Sequence, residues 1–137
     1  MGRIMAIDYG RKRVGLAVTD ELRIIASGLE TVRAHDIFDF LKKYLQEEQI
    51  DCFVVGEPKQ MNNTASESVR FIDPFVKRLK KEFPAIPVER YDERFTSKMA
   101  SQSLIQAGAK KKDRQNKGLI DKISAVLILQ SYLESIN

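Results

Sequence analysis

Two short apolar runs, RIMAID at 3–8 and VGLAVT at 14–19, are parted by a Tyr-Gly turn and three basic residues, the pattern of a β-hairpin. Residues 24–32, IIASGLETV, are apolar and β-branched enough to predict a third strand. From Asp36 the period changes. Ile37, Phe38, Leu41, Tyr44 and Leu45 recur at three- and four-residue spacing, which predicts a helix with Asp36 as its N-cap. CFVVG at 52–56 is wholly apolar, as expected of a strand buried on both faces. After the polar stretch EPKQMNNTA, a second helix is predicted from about Ser66 to Glu82, with Val69, Ile72, Phe75, Val76 and Leu79 on one face. Pro84 and Pro87 end it, and VERYDE begins a strand at about Val88. A third helix is expected from Thr96 or Ser97, either of which suits an N-cap, to Gly108. GAKKKDRQNK at 108–117 reads as a polar basic loop, and a last helix as covering about 118–135.

Strands that alternate with helices in the second half require parallel pairing through right-handed crossovers, while the first three strands suit an antiparallel meander. The predicted fold is α/β: a mixed five-stranded sheet, meander then parallel strands, with helices on both faces. One domain is expected over residues 1–137, a length that supports one hydrophobic core.

Composition narrows the class. With 43% hydrophobic and 31% charged residues the chain reads as globular rather than disordered. A net charge of +4 leans toward polyanions without a polybasic tail. The N-terminus is charged too early for a signal peptide, and no apolar stretch approaches the roughly 20 residues of a membrane span, so a cytoplasmic location without membrane association is expected. The single cysteine, Cys52, reads as a buried core thiol.

Carboxylates fall at telling places. Asp8 ends the first strand, Asp92 and Glu93 end the last, and Asp121 lies on the final helix beside the small residues Ser124 and Ala125. Ile120, Ile123 and Leu127 are expected to form that helix's apolar side. In the predicted topology the first and last strands reach one edge with their C-terminal ends, where open α/β sheets place ligands. Strand alternation lets only one of Asp92 and Glu93 face that edge, and Glu93 is favoured. Gathered carboxylates repel, and a hard cation relieves the repulsion. All-oxygen ligands suit Mg²⁺ or Mn²⁺, and two such ions roughly 3.5–4 Å apart can activate water against a phosphodiester. One His and one Cys do not make a zinc site. Glu57, directly after a strand, is a further possible ligand. Taken singly, Asp8 also fits a turn residue, Asp92 and Glu93 a solvated strand end, and Asp121 an exposed residue near a helix N-terminus.

Basic residues flank the same edge in this arrangement. Arg11, Lys12 and Arg13 lie in the first turn, and Lys110, Lys111, Lys112, Arg114 and Lys117 precede the last helix. Arg94 adjoins Glu93. Such a frame suits a nucleic-acid backbone, although a lysine loop can also be simply solvated.

The stretches IMAIDYGRKRVGLAVTD, VVGEPKQMNNTASES, YDERFTS and IDKISAVLILQSYL resemble, in order, the motifs of the YqgF (RuvX) family, over nearly the whole chain. The resemblance implies an RNase H-like fold, Mg²⁺ or Mn²⁺ dependence, a cytoplasmic location, and catalytic carboxylates at Asp8, Glu93 and Asp121. It implies a nuclease that matures the 5′ end of pre-16S ribosomal RNA, or a Holliday junction resolvase on branched DNA. The family's middle motif reads Gly-Leu-Pro, then Asn-Met-Asp-Gly; here Glu57, Gln60, Asn62 and Asn63 alter it. A junction resolvase is expected to be a homodimer matching the junction's two-fold symmetry, whereas an end-processing nuclease can be a monomer. A non-catalytic RNA-binding ribosome-assembly factor on the same fold is a further alternative. DYGRKRVG also fits the Asp-x-Gly-x-x-x-x-Gly phosphate loop of two-domain ATPases, but 137 residues leave no room for the second domain.

Overall fold

The computed structural model describes residues 2–10, 12–22, 24–57, 69–92 and 117–136. Strand β1 spans Arg3–Tyr9, β2 Arg13–Thr19 and β3 Ala26–Arg33. A 3₁₀ turn, Ala34–Asp36, leads into α1, Ile37–Glu47. Strand β4 is Ile50–Glu57, α2 Val69–Glu82, β5 Val88–Asp92 and α3 Lys117–Ile136. The helix expected over 96–108 and the basic loop through 116 lie outside the described residues.

The sheet order is β3-β2-β1-β4-β5. Strands β1–β3 form an antiparallel meander, and β4 pairs in parallel with both β1 and β5, as the alternation of elements requires. The β1–β2 turn is closed by the Gly10 N–H, which donates to the Arg13 carbonyl at 2.9 Å. A Cβ at Gly10 would stand 2.5 Å from that same oxygen, so the tight turn needs glycine.

Period-two alternation sorts the strand residues onto two cores. Met5, Ile7, Val14, Leu16, Phe53 and Val55 pack against α1 and α2. Ile4, Ala6, Ala17 and Val54 pack against Ala125, Ile128, Leu129 and Leu133 of α3. The two strand alanines let α3 approach the sheet closely. Phe53, Val54 and Val55 are fully buried, which bears out β4 as a strand covered on both faces. The buried Thr19 hydroxyl accepts the Ile4 N–H at 2.9 Å.

Several local expectations are corrected. Asp36 precedes α1 but does not cap it with its side chain. The 3₁₀ turn holds Asp36 at φ −98°, ψ −3°, away from the extended backbone an N-cap uses, and its carboxylate meets His35 Nε2 at 3.2 Å instead. Ile24 and Ile25 precede β3 and are exposed. The Asp20 carboxylate accepts both their amide protons, at 2.7 and 3.0 Å, a local alternative to the ladder. Cys52 is half-buried rather than a core thiol, since it lies on the outer part of the α3 core. On α3 the buried stripe is Ser124, Ala125, Ile128, Leu129 and Leu133, while Ile123 and Leu127 are only partly covered. Pro74 lies inside α2, where it supplies no N–H to the preceding turn.

Candidate active site

Three parallel strands end at one edge. Glu57 at the end of β4 pairs in register with Asp92 at the end of β5. Ile7 pairs with Val55, so continuing that register by one residue sets Asp8 beside Gly56, which pairs with Tyr91. On the other side Asp8 pairs with Gly15, and Gly15 with Thr31. One row thus crosses the sheet as Thr31, Gly15, Asp8, Gly56 and Tyr91. Asp8 shares its face with Ile4 and Ala6, hence with α3. It is half-buried and has a glycine on each neighbouring strand. The neighbouring strands thus set no side chain beside it in this row.

Helix α3 is pinned across this face. The Tyr91 hydroxyl hydrogen-bonds the Ser131 hydroxyl, and the Tyr91 ring meets Tyr132 edge-on at 6.3 Å. Burial, then a hydrogen bond with Glu89, raises the Tyr132 pKa, so this post stays protonated and neutral. Behind the sheet, Arg90 Nη1 contacts Asp73 Oδ1 at 2.7 Å and ties β5 to α2. Across the sheet from Tyr91, Ile24 of the β2–β3 connection shares a surface hollow with Gln130 and Leu133. Gln130 and Leu133 of α3 therefore reach the β2–β3 connection, at the end of β1 away from Asp8, while Ser131 and Tyr132 meet Tyr91.

Among the expected ligands, Asp8 stands at the C-terminal end of the central strand, and Asp121 is the fifth residue of α3 by backbone position. Glu57 and Asp92 enter by their strand register alone. Glu93, Arg94, Arg11, Lys110, Lys111, Lys112 and Arg114 lie outside the described residues. Among the described residues no three His, Cys, Asp or Glu side chains form a metal cluster. Lys12 is exposed and Arg13 half-buried at the hairpin beside Asp8. Sequence spacing does not single out Arg33, which becomes the cross-strand partner of Arg13 only through the β2–β3 register. No described helix is long and apolar enough to cross a membrane.

Comparison with known proteins shows the family and the fold. The family model described as "RuvX: Holliday junction resolvase" matches residues 2–135. A protein of Phocaeicola vulgatus named "Putative pre-16S rRNA nuclease" is 60% identical over 135 residues, covering 98% of this chain and 97% of its own. One of the same name from Flavobacterium johnsoniae is 56% identical, with 98% of both chains covered. Among solved structures, Thermus thermophilus RuvC in complex with a Holliday junction aligns over 98% of both chains, with a TM-score of 0.59 and 18% identity. Fowlpox virus resolvase with junction DNA aligns over 98% of both chains, with a TM-score of 0.62 and 16% identity. At these identities the likeness shows a shared RNase H-like fold.

Proposed function

This chain belongs to the RuvX family, and from that membership we propose that it is a metal-dependent endonuclease that processes the 5′ end of pre-16S ribosomal RNA. It is a hydrolase acting on nucleic-acid ester bonds. The observation that carries the finer reading is Asp8, at the C-terminal end of the central strand with Gly15 and Gly56 on either side. The pre-16S assignment draws on relatives more than half identical over nearly the whole chain that carry that name.

In this reading Asp8, Glu93 and Asp121 hold Mg²⁺ or Mn²⁺. Tyr91 packs toward α3, and a strand period of two favours Glu93 over Asp92 for the same side. Leu133 lies at the far end of the sheet, and Asp121 is twelve residues upstream, about 18 Å along a helix. From Ile4 to Asp8 a strand advances about 13 Å, so the helix is long enough to bring Asp121 over the Asp8 end. The Asp121 position also continues the spacing of the buried stripe through Ser124, Ala125 and Ile128. Divalent ions bound there would lower the pKa of water and neutralise charge on the phosphodiester. The chain's own part is to hold the nucleic acid at the sheet edge where Asp8 stands. Lys12 and Arg13 do so together with Arg11, Arg94, Lys110, Lys111, Lys112 and Arg114, all acting on the sugar-phosphate backbone. A single RNase H-like domain over 1–137, working in the cytoplasm, carries the activity.

The family description favours a second reading, a resolvase of four-way DNA junctions, which requires a two-fold dimer. Purified protein with Mn²⁺ is offered a precursor-rRNA fragment and a four-way junction side by side, with its mass measured in solution. Cleavage of the RNA alone by a monomer supports the first reading. Symmetric cleavage of the junction alone by a dimer replaces it with the second. Salt-sensitive RNA binding without cleavage under any divalent metal overturns both in favour of an assembly factor.

A further inference from the structure

A groove of about 710 Å³ opens on the α1/α2 side of the sheet, on the opposite face from Asp8. Its floor is aromatic. Tyr9 is stacked on Phe75 with centroids 4.2 Å apart and planes 13° apart, and Phe38 lies beside them. Its rim is cationic, formed by Lys12, Arg33 and Arg78. The Arg78 guanidinium sits 4.1 Å over the Phe38 ring and presents a second flat surface. Tyr9 directly follows Asp8, and strand alternation turns it to the other face, so one residue separates the carboxylate from the groove.

The cations are held close by the fold. Arg33 ends β3 in register with Arg13, at the turn end of the basic hairpin. The Lys12 carbonyl accepts the Ala34 N–H at 2.9 Å, which fixes the basic hairpin against the start of the 3₁₀ turn. The nearby carboxylates do little to neutralise them. Glu82 lies 3.8 Å from Arg78 but is shared with Lys42 at 3.4 Å. Asp36 contacts His35, and Asp73 is paired with Arg90. Among the described residues neither Lys12 nor Arg33 makes an ion pair.

We propose that this groove binds a single-stranded nucleic-acid segment next to the cleavage position, with phosphates on Lys12, Arg33 and Arg78 and an unpaired base against Tyr9. The inference rests on the nuclease reading for the source of the strand. Stacking surfaces edged by cations suit unpaired bases, whereas a duplex keeps its bases stacked within itself. The site would hold the flank of a substrate whose scissile phosphate lies around the sheet edge at Asp8.

The test is fluorescence anisotropy with labelled RNA and DNA strands of about eight residues, in EDTA. Wild-type protein is expected to bind the strand, and a fully abasic strand of equal charge about tenfold more weakly. Tighter binding of RNA would assign the groove to RNA, and equal binding to either strand. For the double variant R33Q/R78Q, the slope of log affinity against log salt should fall by about 1.4, and for R33Q alone by about 0.7. R33Q should keep the wild-type unfolding temperature, and R33Q/R78Q, which loses the Arg78 contact with Phe38, should still unfold cooperatively. No binding by the wild type, equal affinity for the abasic strand, or an unchanged slope in folded R33Q overturns the proposal. Because no divalent ion is present, a failed groove leaves the nuclease reading standing. A protein that binds the strand in this way but never cuts would overturn the nuclease reading alone.

Discussion

Asp8 matters through what stands beside it. Gly15 and Gly56 set no side chain beside it in its row, the space that the proposed cation and phosphate would use. Gly56→Ala is expected to keep the fold and cut cleavage by tenfold to a hundredfold, the scale of a misplacement of about 1 Å at a reacting centre. Single-turnover rates, compared with thermal unfolding, measure this; wild-type cleavage by a folded Gly56→Ala protein would contradict it. Asp8 itself was legible in the sequence because an aspartate closing an apolar run is a local signal. Its glycine neighbours were not, since Gly56 is distant in sequence and becomes a neighbour only through strand register. Asp36 misled for a related reason. Its residue type and position suit a cap, but the 3₁₀ turn that removes it from capping geometry leaves no mark in the hydrophobic period.

Among the elements, the β1–β2 hairpin sets the site, and Gly10 sets the hairpin. Gly10→Ala drives a Cβ into the Arg13 carbonyl at 2.5 Å and is expected to cost about 1–3 kcal/mol, read as a lower urea midpoint with an unchanged m-value. The β2–β3 connection depends on charge. Amide hydrogen bonds from Ile25 and then Ile24 hold the Asp20 pKa below its ordinary value. A depressed carboxylate pKa contributes stability above the unfolded value and loses it as pH falls through the folded one. Protection of the Ile24 and Ile25 amides, measured against their intrinsic exchange rate at each pH, should therefore fall below about pH 4, and Asp20→Asn should abolish that acid dependence. The succession of five strands, meander first and parallel pairs after, followed from short apolar runs and turn residues and was legible. The covered side of α3 was not. That helix is apolar around most of its circumference, so periodicity cannot choose between Ile123 with Leu127 and the stripe that packs on Ala6 and Ala17.

For the whole molecule, the mixed sheet brings chain positions 8, 57 and 92 to one edge and lays α3 across one face. Basic residues lie near that edge and around the groove behind it. The same topology accounts for the likeness to resolvases at under 20% identity. The central claim is that Asp8, Glu93 and Asp121 jointly hold the catalytic ions. Its most direct test is Mn²⁺-dependent cleavage of a 5′-labelled precursor-rRNA fragment by the wild type, Asp8→Asn, Glu93→Gln and Asp121→Asn. The account predicts that the wild type cuts and that EDTA stops it. Each variant should bind the RNA yet lose at least about 10²–10³-fold in rate, the scale of removing one charge-stabilising group. Wild-type cleavage by any of the three variants would contradict it.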